Sequence, residues 1–217
     1  RDPPRPRSER EDGGSDFRRA LGGPEVLPGT YAVRLTVAGE SWETPVEVGV
    51  DPLVPATGVD LAAQHEAASK LTAMQSTAND VLRGTDAVGE QLAARRATVK
   101  TLKKELTPEL EESWKAFEEK LKDLQERLVQ PEGKPFWSQG PRLLRQIGGL
   151  MGDVDTALRA PTPAQARLID ELEDELGEAV AAWNVFVAED LAALNAALSA
   201  ADVPPLASPG STRLVWP

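Results

Sequence analysis

The feature that most constrains the fold of this chain is a change in the spacing of its apolar residues near Pro55. Before that point, apolar residues alternate with polar or small ones: Tyr31, Val33, Leu35 and Val37. This alternation is typical of a strand with one buried face. After it, apolar residues recur every three or four positions, as in an amphipathic helix. The chain is therefore predicted to be mainly α, with a β-hairpin in front of a helical bundle.

The hairpin is predicted over residues 25–54. Its turn is assigned to residues 38–40, because Gly39 readily takes a positive φ, and a second alternating run rich in valine follows. Pro45 cannot donate to a sheet hydrogen bond, so it indicates an edge or a bulge where the second strand begins. Two strands alone are marginally stable in water, so the hairpin implies further strands. These are expected either upstream in a longer protein or in the segment Arg213–Trp216.

The region 55–202 is predicted to be a helical bundle, and several of its helices begin after N-capping threonines. The predicted helices span 58–106, 108–129, 141–159 and 163–200. Gly84 and Gly89 disfavour helix and predict a kink or break in the first of them. Because the two middle helices together match the outer ones in length, a bundle of three long antiparallel helical segments is favoured, with the middle segment interrupted. A four-helix bundle, in which the two short helices fold back on each other, is the alternative.

Two flanking segments are predicted to lie outside regular structure. Residues 1–24 are rich in proline, glycine and charge, and such a composition buries too little apolar surface to offset the entropy of ordering. They are interpreted as a disordered or loop segment. Residues 203–217 are predicted to be an irregular tail, with a short strand at Arg213–Trp216.

Charge and composition exclude several classes of partner and site. The formal net charge is −11 and the pI is near 4.7, so nucleic acid is not an expected partner, since polyphosphate binding requires a basic face. No apolar run approaches the ~20 residues that a membrane-spanning helix needs. The chain has no cysteine, which excludes thiol catalysis and zinc–thiolate sites, and no cofactor is predicted.

Few residues are candidates for catalysis. His65 is the single histidine, so no second histidine or cysteine can complete a triad or a metal set, and it is interpreted as a packed or half-exposed helix residue. An acidic run places four carboxylates on one helical ridge that could hold a divalent ion or supply an acid–base pair: Glu171, Asp174, Glu175 and Glu178. The favoured interpretation of this ridge is a solvated face. The chain is therefore predicted not to be an enzyme, with no catalytic, cofactor-binding or metal-binding residues.

Aromatic residues are the other candidates for a functional surface. Trp114 and Trp183 fall on apolar helical seams and are predicted to be core residues. Successive spacings of four around Trp183 also predict local unwinding of the last helix. Four aromatic residues are proposed as contacts for a partner: Phe136, Trp137, Trp42 and Trp216.

Three stretches of this sequence together resemble a known protein region. They are LPGTYAVRLTVAGESWETPVEVGVDP, the helix start TGVDLAAQ, and APTPAQARLIDELEDELGEAVAAWNVFVAEDLAALNAAL followed by VPPL. This combination resembles the C-terminal region of bacterial sortilin-like β-propeller proteins, which are large secreted proteins with Asp-box repeats, often described as glycosyl hydrolases. The resemblance covers roughly residues 26–206. No Asp-box motif, Ser-x-Asp-x-Gly-x-x-Trp, occurs in this chain.

The resemblance implies a role for the hairpin and a location for the chain. The two strands would be the last ones of an immunoglobulin- or fibronectin-like sandwich begun upstream, in an extracytoplasmic protein. The chain is then expected to be a non-catalytic accessory module that spaces or packs against a β-propeller, with the rest of its parent chain as its partner. Two alternatives stay open: a self-associating helical-bundle interaction protein that forms a homo-oligomer, and a carboxylate- or metal-dependent hydrolase.

Overall fold

The computed structural model describes residues 23–102, 105–131 and 140–214. The elements follow in the order β1 (Gly29–Val37), β2 (Glu40–Val48), α1 (Gly58–Thr101), α2 (Pro108–Leu128), α3 (Leu143–Asp155), α4 (Pro163–Val185) and α5 (Leu191–Ala200). A π-helical segment, Phe186–Asp190, joins α4 to α5 without a break. The helices together are the helical body. The prediction of a mainly α chain with an antiparallel β-hairpin is confirmed, while all but the last two residues of the predicted loop at 1–24 lie outside the described ranges.

The hairpin closes through a two-residue turn. Ala38 has φ 51° and Gly39 has φ 89°, the pair of positive angles that defines a type I′ turn and suits the twist of antiparallel strands. Glu40 already belongs to β2, so the turn is one residue shorter than predicted. Within the described ranges the sheet consists of β1 and β2 alone. Arg213 and Leu214, where a further strand was predicted to begin, lie in no strand, and the rest of that segment is outside the described residues.

Helix α1 begins with a capping box and is continuous. The Thr57 hydroxyl accepts from the Asp60 amide at 3.1 Å, and the Asp60 carboxylate accepts from the Thr57 amide at 3.1 Å. The hydrogen bonds from the Thr57 hydroxyl and then its amide hold the pKa of Asp60 below its ordinary value. The predicted break at the glycines is wrong, because the helix runs through Gly84 and Gly89. It ends at Thr101 rather than at residue 106.

Two shorter helices lie one after the other along α1 and run opposite to it. Near the C-terminal end of α1, Arg96 contacts Glu118 of α2 at 3.0 Å. Near its N-terminal end, Gln64 donates to the carbonyl of Asp155, the last residue of α3, at 2.5 Å. Since residue numbers fall along α1 as they rise through α2 and then α3, both helices are antiparallel to α1. The chain between them includes residues 132–139, which lie outside the described ranges.

The continuous helix of α4 and α5 returns in the direction of α1. Lys70 pairs with Glu173 at 2.6 Å, and Gly84 lies against the Trp183 ring further along both helices. A Cβ atom at Gly84 would lie 2.5 Å from Trp183 Cζ2, so glycine permits the close approach of the two helices. The π-helical segment that begins at Phe186 follows Trp183, close to where the sequence spacing predicts local unwinding.

The buried hydrophobic cluster belongs to the helical body and the segment that follows it. Trp114 and Trp183 are fully buried, which confirms that they are core residues. The cluster takes members from α1 to α5 and from Val203 and Leu206 of the C-terminal segment. Among the described residues it takes none from β1 or β2. The hairpin therefore stands outside the core that stabilises the rest of the chain.

Candidate functional site

The hairpin presents one apolar face that is exposed to solvent. Because side chains alternate along each strand, one face collects the large hydrophobic residues of both strands. This apolar face of the hairpin consists of Tyr31, Val33, Leu35, Val37, Trp42 and Val46, all of them exposed. Leu35 is 60% exposed and lies directly opposite Trp42, which is 53% exposed. Such cross-strand pairs each contribute roughly 0.2–1 kcal/mol, far less than burial in a core would.

The opposite face of the hairpin is polar. Arg34 forms an ion pair with Glu43 across the strands, and the hydroxyls of Thr36 and Ser41 are 2.9 Å apart. An exposed ion pair contributes at most about 1 kcal/mol and is weakened by salt. One polar and one apolar face is the pattern of an antiparallel sheet that has solvent on one side and a packing partner on the other. Within the described ranges, nothing buries the apolar side.

The two outer edges of the hairpin differ in their capacity to bind another strand. The Val37–Glu40 pair flanks the turn and is hydrogen-bonded, so pairs alternate from there and Ala32–Pro45 is a non-hydrogen-bonded pair. The nitrogen of Pro45 therefore faces the outer edge of β2, where it offers no donor. The outer edge of β1 is free of proline, and its outward amides belong to Thr30, Ala32, Arg34 and Thr36. A further strand is consequently expected to pair with β1.

The base of the hairpin is attached to the helical body by polar contacts. The amide of Glu25 donates to the Asp155 carboxylate at 3.0 Å, and its carbonyl is 2.8 Å from His65 Nδ1. Since a carbonyl only accepts, this contact requires a hydrogen on Nδ1, and it ties the backbone at Glu25 to α1. A cavity of about 150 Å³ lies at this junction, between residues 48–51 of the hairpin and Leu61 of α1.

The acidic ridge on α4 is exposed, and its neighbours are partly paired. Glu171, Asp174, Glu175 and Glu178 all face solvent. Lys70 lies at 2.6 Å from the adjacent Glu173. Within residues 23–102, 105–131 and 140–214, no three histidine or acidic side chains converge as a metal site would require. A straight ridge does not bring oxygens together around one ion.

The four aromatic residues proposed as contacts fall into two groups. Trp42 lies on the apolar face of the hairpin. Phe136, Trp137 and Trp216 lie outside the described residues. The C-terminal segment was predicted to be irregular, and its contacts with the helices were not expected, because it has polar and small residues with no period. The sequence does contain one indication of these contacts, namely asparagines in the interior of a helix. Asparagine is unfavourable at such positions unless its side chain has a specific partner.

Comparison with known proteins gives no relative for this chain: no protein-family model, no curated protein and no solved structure matches it. The described helices also include none with the length and apolar character needed to cross a bilayer. The surface of the chain itself is therefore the evidence for its function. The most unusual part of that surface is the exposed apolar face of the hairpin.

Proposed function

We propose that this chain is a non-catalytic interaction module, in which the helical body carries a hairpin that completes a β-sandwich with strands from the rest of a longer protein. The observation that carries this proposal is the exposed apolar face around Leu35 and Trp42. Burying a large apolar side chain contributes about 1.5–3 kcal/mol relative to full exposure. Six half-exposed side chains therefore represent a gain on the order of 5 kcal/mol on docking.

The edges and faces of the hairpin support a specific mode of docking. A partner strand pairs with the outer edge of β1, since Pro45 interrupts the donors on the outer edge of β2. A second sheet then covers the apolar face, as in immunoglobulin- and fibronectin-like sandwiches. This mode agrees with the resemblance to sortilin-like β-propeller proteins, in which the missing strands lie upstream and the whole protein is extracytoplasmic.

The helical body serves in this proposal as a spacer built from three antiparallel helical segments. Helix α1 has 44 residues and is about 66 Å long at 1.5 Å per residue. The helices α2 and α3 form the middle segment, and α4 with α5 forms the last. Their contacts bury the apolar seams within the chain, so the body holds its shape while the hairpin at one end takes part in docking. A β-propeller beside the sandwich is the proposed neighbour.

A photo-crosslinking experiment in the natural host tests this function. A benzophenone amino acid replaces Leu35 on the apolar face, and as a matched control it replaces Glu43 on the polar face. We expect an adduct from position 35, joined to β-strand peptides of the same polypeptide, and little or none from position 43. Equal yields from both positions, or none from position 35, would overturn the proposal. Hydrolysis of a glycoside by the chain, abolished by a single Asp or Glu substitution, would overturn its non-catalytic part.

Self-association is the second candidate, and the hairpin is the surface that favours it. The apolar seam of α2 is buried inside the chain, at Leu110, Trp114 and Phe117, so it offers no surface to a second copy. Two hairpins can instead pair through their β1 edges and stack their apolar faces. Sedimentation equilibrium at rising concentration separates the candidates. A dimer that Leu35→Glu abolishes supports self-association, whereas a monomer at all concentrations leaves the upstream strands as the partner.

A further inference from the structure

The C-terminal segment occupies a groove between α1 and the continuous helix of α4 and α5. Residues 203–214, the tail, have neither helix nor strand, yet they are anchored. The side chains of Val203 and Leu206 are each 4% exposed and belong to the hydrophobic core. Most other described residues of the tail are exposed. The tail is thus an extended segment that is held at a few points on a helical surface.

Three carboxamide side chains along the groove each bind both backbone groups of one tail residue. Asn195 accepts from the Leu206 amide at 2.7 Å and donates to its carbonyl at 2.9 Å. Gln91 makes the same pair of contacts with Ala207, at 2.7 and 3.3 Å. A carboxamide presents one acceptor and one donor, so it matches the backbone of an extended residue as a neighbouring strand would.

The third carboxamide extends this recognition further along the tail. Asn184 accepts from the Thr212 amide and donates to its carbonyl, both at 2.9 Å. Because residue 206 lies beside residue 195 and residue 212 beside residue 184, the tail runs antiparallel to the helix that binds it. Recognition of backbone groups is tolerant of sequence, so it supplies affinity for extended peptides in general.

The prolines favour the extended form of the tail, and the buried Leu206 side chain supplies its specificity. Arg95 donates to the carbonyl of Pro204 at 3.1 Å and to that of Pro205 at 3.3 Å. A proline has no amide hydrogen to satisfy, and a proline pair favours the extended polyproline II conformation before binding. The Leu206 side chain then enters the core. The groove therefore matches an extended Pro-Pro-Leu segment that small or polar residues follow.

The start of the tail defines where it separates from the helix. Helix α5 ends in a Schellman motif, in which the Val203 amide donates to the Leu198 carbonyl at 2.9 Å and the Asp202 amide to the Ser199 carbonyl at 3.1 Å. Asp202 takes φ 50° at this point. Beyond Val203 the tail is mostly exposed, and Leu206 is the one buried side chain of residues 204–214, so this segment can open locally without unfolding the helices.

We infer that the groove between α1 and α4–α5 is a binding site for extended Pro-Pro-Leu peptides, and that the tail is its ligand in cis. A peptide of the same chemistry binds there in trans when the tail is displaced. This surface is separate from the apolar face of the hairpin, so the two proposals stand or fall independently. The groove gives the helical body a binding role of its own.

The test measures, by fluorescence anisotropy, the binding of a labelled synthetic peptide of residues 202–214 to the full chain. In the variant Leu206→Asp the cis tail is disabled, so the groove is available. We expect the peptide to bind this variant about tenfold or more tightly than the wild-type chain, because the intact tail competes in cis. The variant Leu206→Ala, which introduces no charge, makes the same comparison if Leu206→Asp does not fold.

Two controls make the result specific to the groove. Asn195→Leu in the Leu206→Asp chain is expected to weaken peptide binding about tenfold, since it leaves the peptide amide and carbonyl unpaired. A peptide that itself carries Leu206→Asp is expected not to bind. Absence of binding to a tail variant that keeps its helical circular dichroism would overturn the inference. Equal binding by the altered peptide would do the same.

Discussion

The hairpin and the tail show opposite combinations of regular secondary structure and burial. The hairpin has regular hydrogen-bonded strands, yet its large side chains are exposed and contribute nothing to the described core. The tail has no regular structure, yet it buries Val203 and Leu206 and bonds to side chains of two helices. Regular secondary structure and integration into the fold are therefore separate properties. In this molecule, burial decides which segment belongs to the stable body.

The largest expected effect compares one leucine from each region. Leu206→Ala removes a side chain that is 4% exposed, and should lower the free energy of unfolding by about 2–4 kcal/mol. Leu35→Ala removes one that is 60% exposed, and should change it by less than about 0.5 kcal/mol. Urea denaturation followed by circular dichroism measures both. Equal losses from the two substitutions would contradict the comparison.

The second prediction tests the close packing of α1 against α4 within the helical body. Gly84→Ala places a Cβ atom against the Trp183 ring, and should destabilise the chain by roughly 1–3 kcal/mol through overpacking. Gly89→Ala is the matched control, because its Cβ atom would lie 3.8 Å from Leu121, an ordinary contact. That substitution should stabilise α1 by up to about 1 kcal/mol. Thermal unfolding distinguishes the two, and a shared sign would be inconsistent with the close helix contact.

The third prediction asks whether the hairpin unfolds independently of the helices. Ala38 has a positive φ, so Ala38→Gly should stabilise the turn by about 1 kcal/mol, and Gly39→Ala should destabilise it by a similar amount. Because the hairpin lies outside the core, only the exchange rates of its strand amides should change. The midpoint of helix unfolding should stay the same. A shift of that midpoint with either substitution would show that hairpin and helices unfold together.

The smallest effect concerns pH and the two capping boxes. The pKa of Asp60 is lowered by its hydrogen bonds with Thr57, so the cap of α1 stabilises at pH values above the ordinary 3.8 and is lost as pH falls through the lowered value. The equivalent residue of the α4 box is Gln165, which does not titrate in this range. Amide exchange in the first turn of α1 should accelerate in acid relative to that of α4. Equal acceleration would contradict a titrating cap.

Local rules in the sequence account for the helices and the hairpin. The threonine caps at Thr57, Thr107 and Thr162 all form, because capping depends on residues within one turn. The apolar alternation in β1 and the helical seams also depend on short spacings. The end of α1 was predicted too late, since apolar residues near Leu106 continued the pattern after the helix had stopped.

The binding surfaces could not be predicted in the same way because they depend on distant contacts. Gln91 and Ala207 are separated by 116 residues, and a polar helix residue of this kind is usually interpreted as solvated. The sequence shows Gly84 only as a residue that disfavours helix. Its contact with Trp183 explains why a residue without a Cβ atom lies there. The hairpin sequence predicts a buried face, and the exposure of that face emerges only when the rest of the chain is in place.

Hydrogen exchange on the full chain, resolved by residue, tests the central claim most directly. The amides of β1 and β2 should exchange much faster than those in the middle of α1 and α4, because no core protects the hairpin. The amides of Leu206, Ala207 and Thr212 should be protected despite lying in no helix or strand, since each donates to a carboxamide. Strand amides protected as strongly as the helices, together with an unprotected tail, would contradict the account.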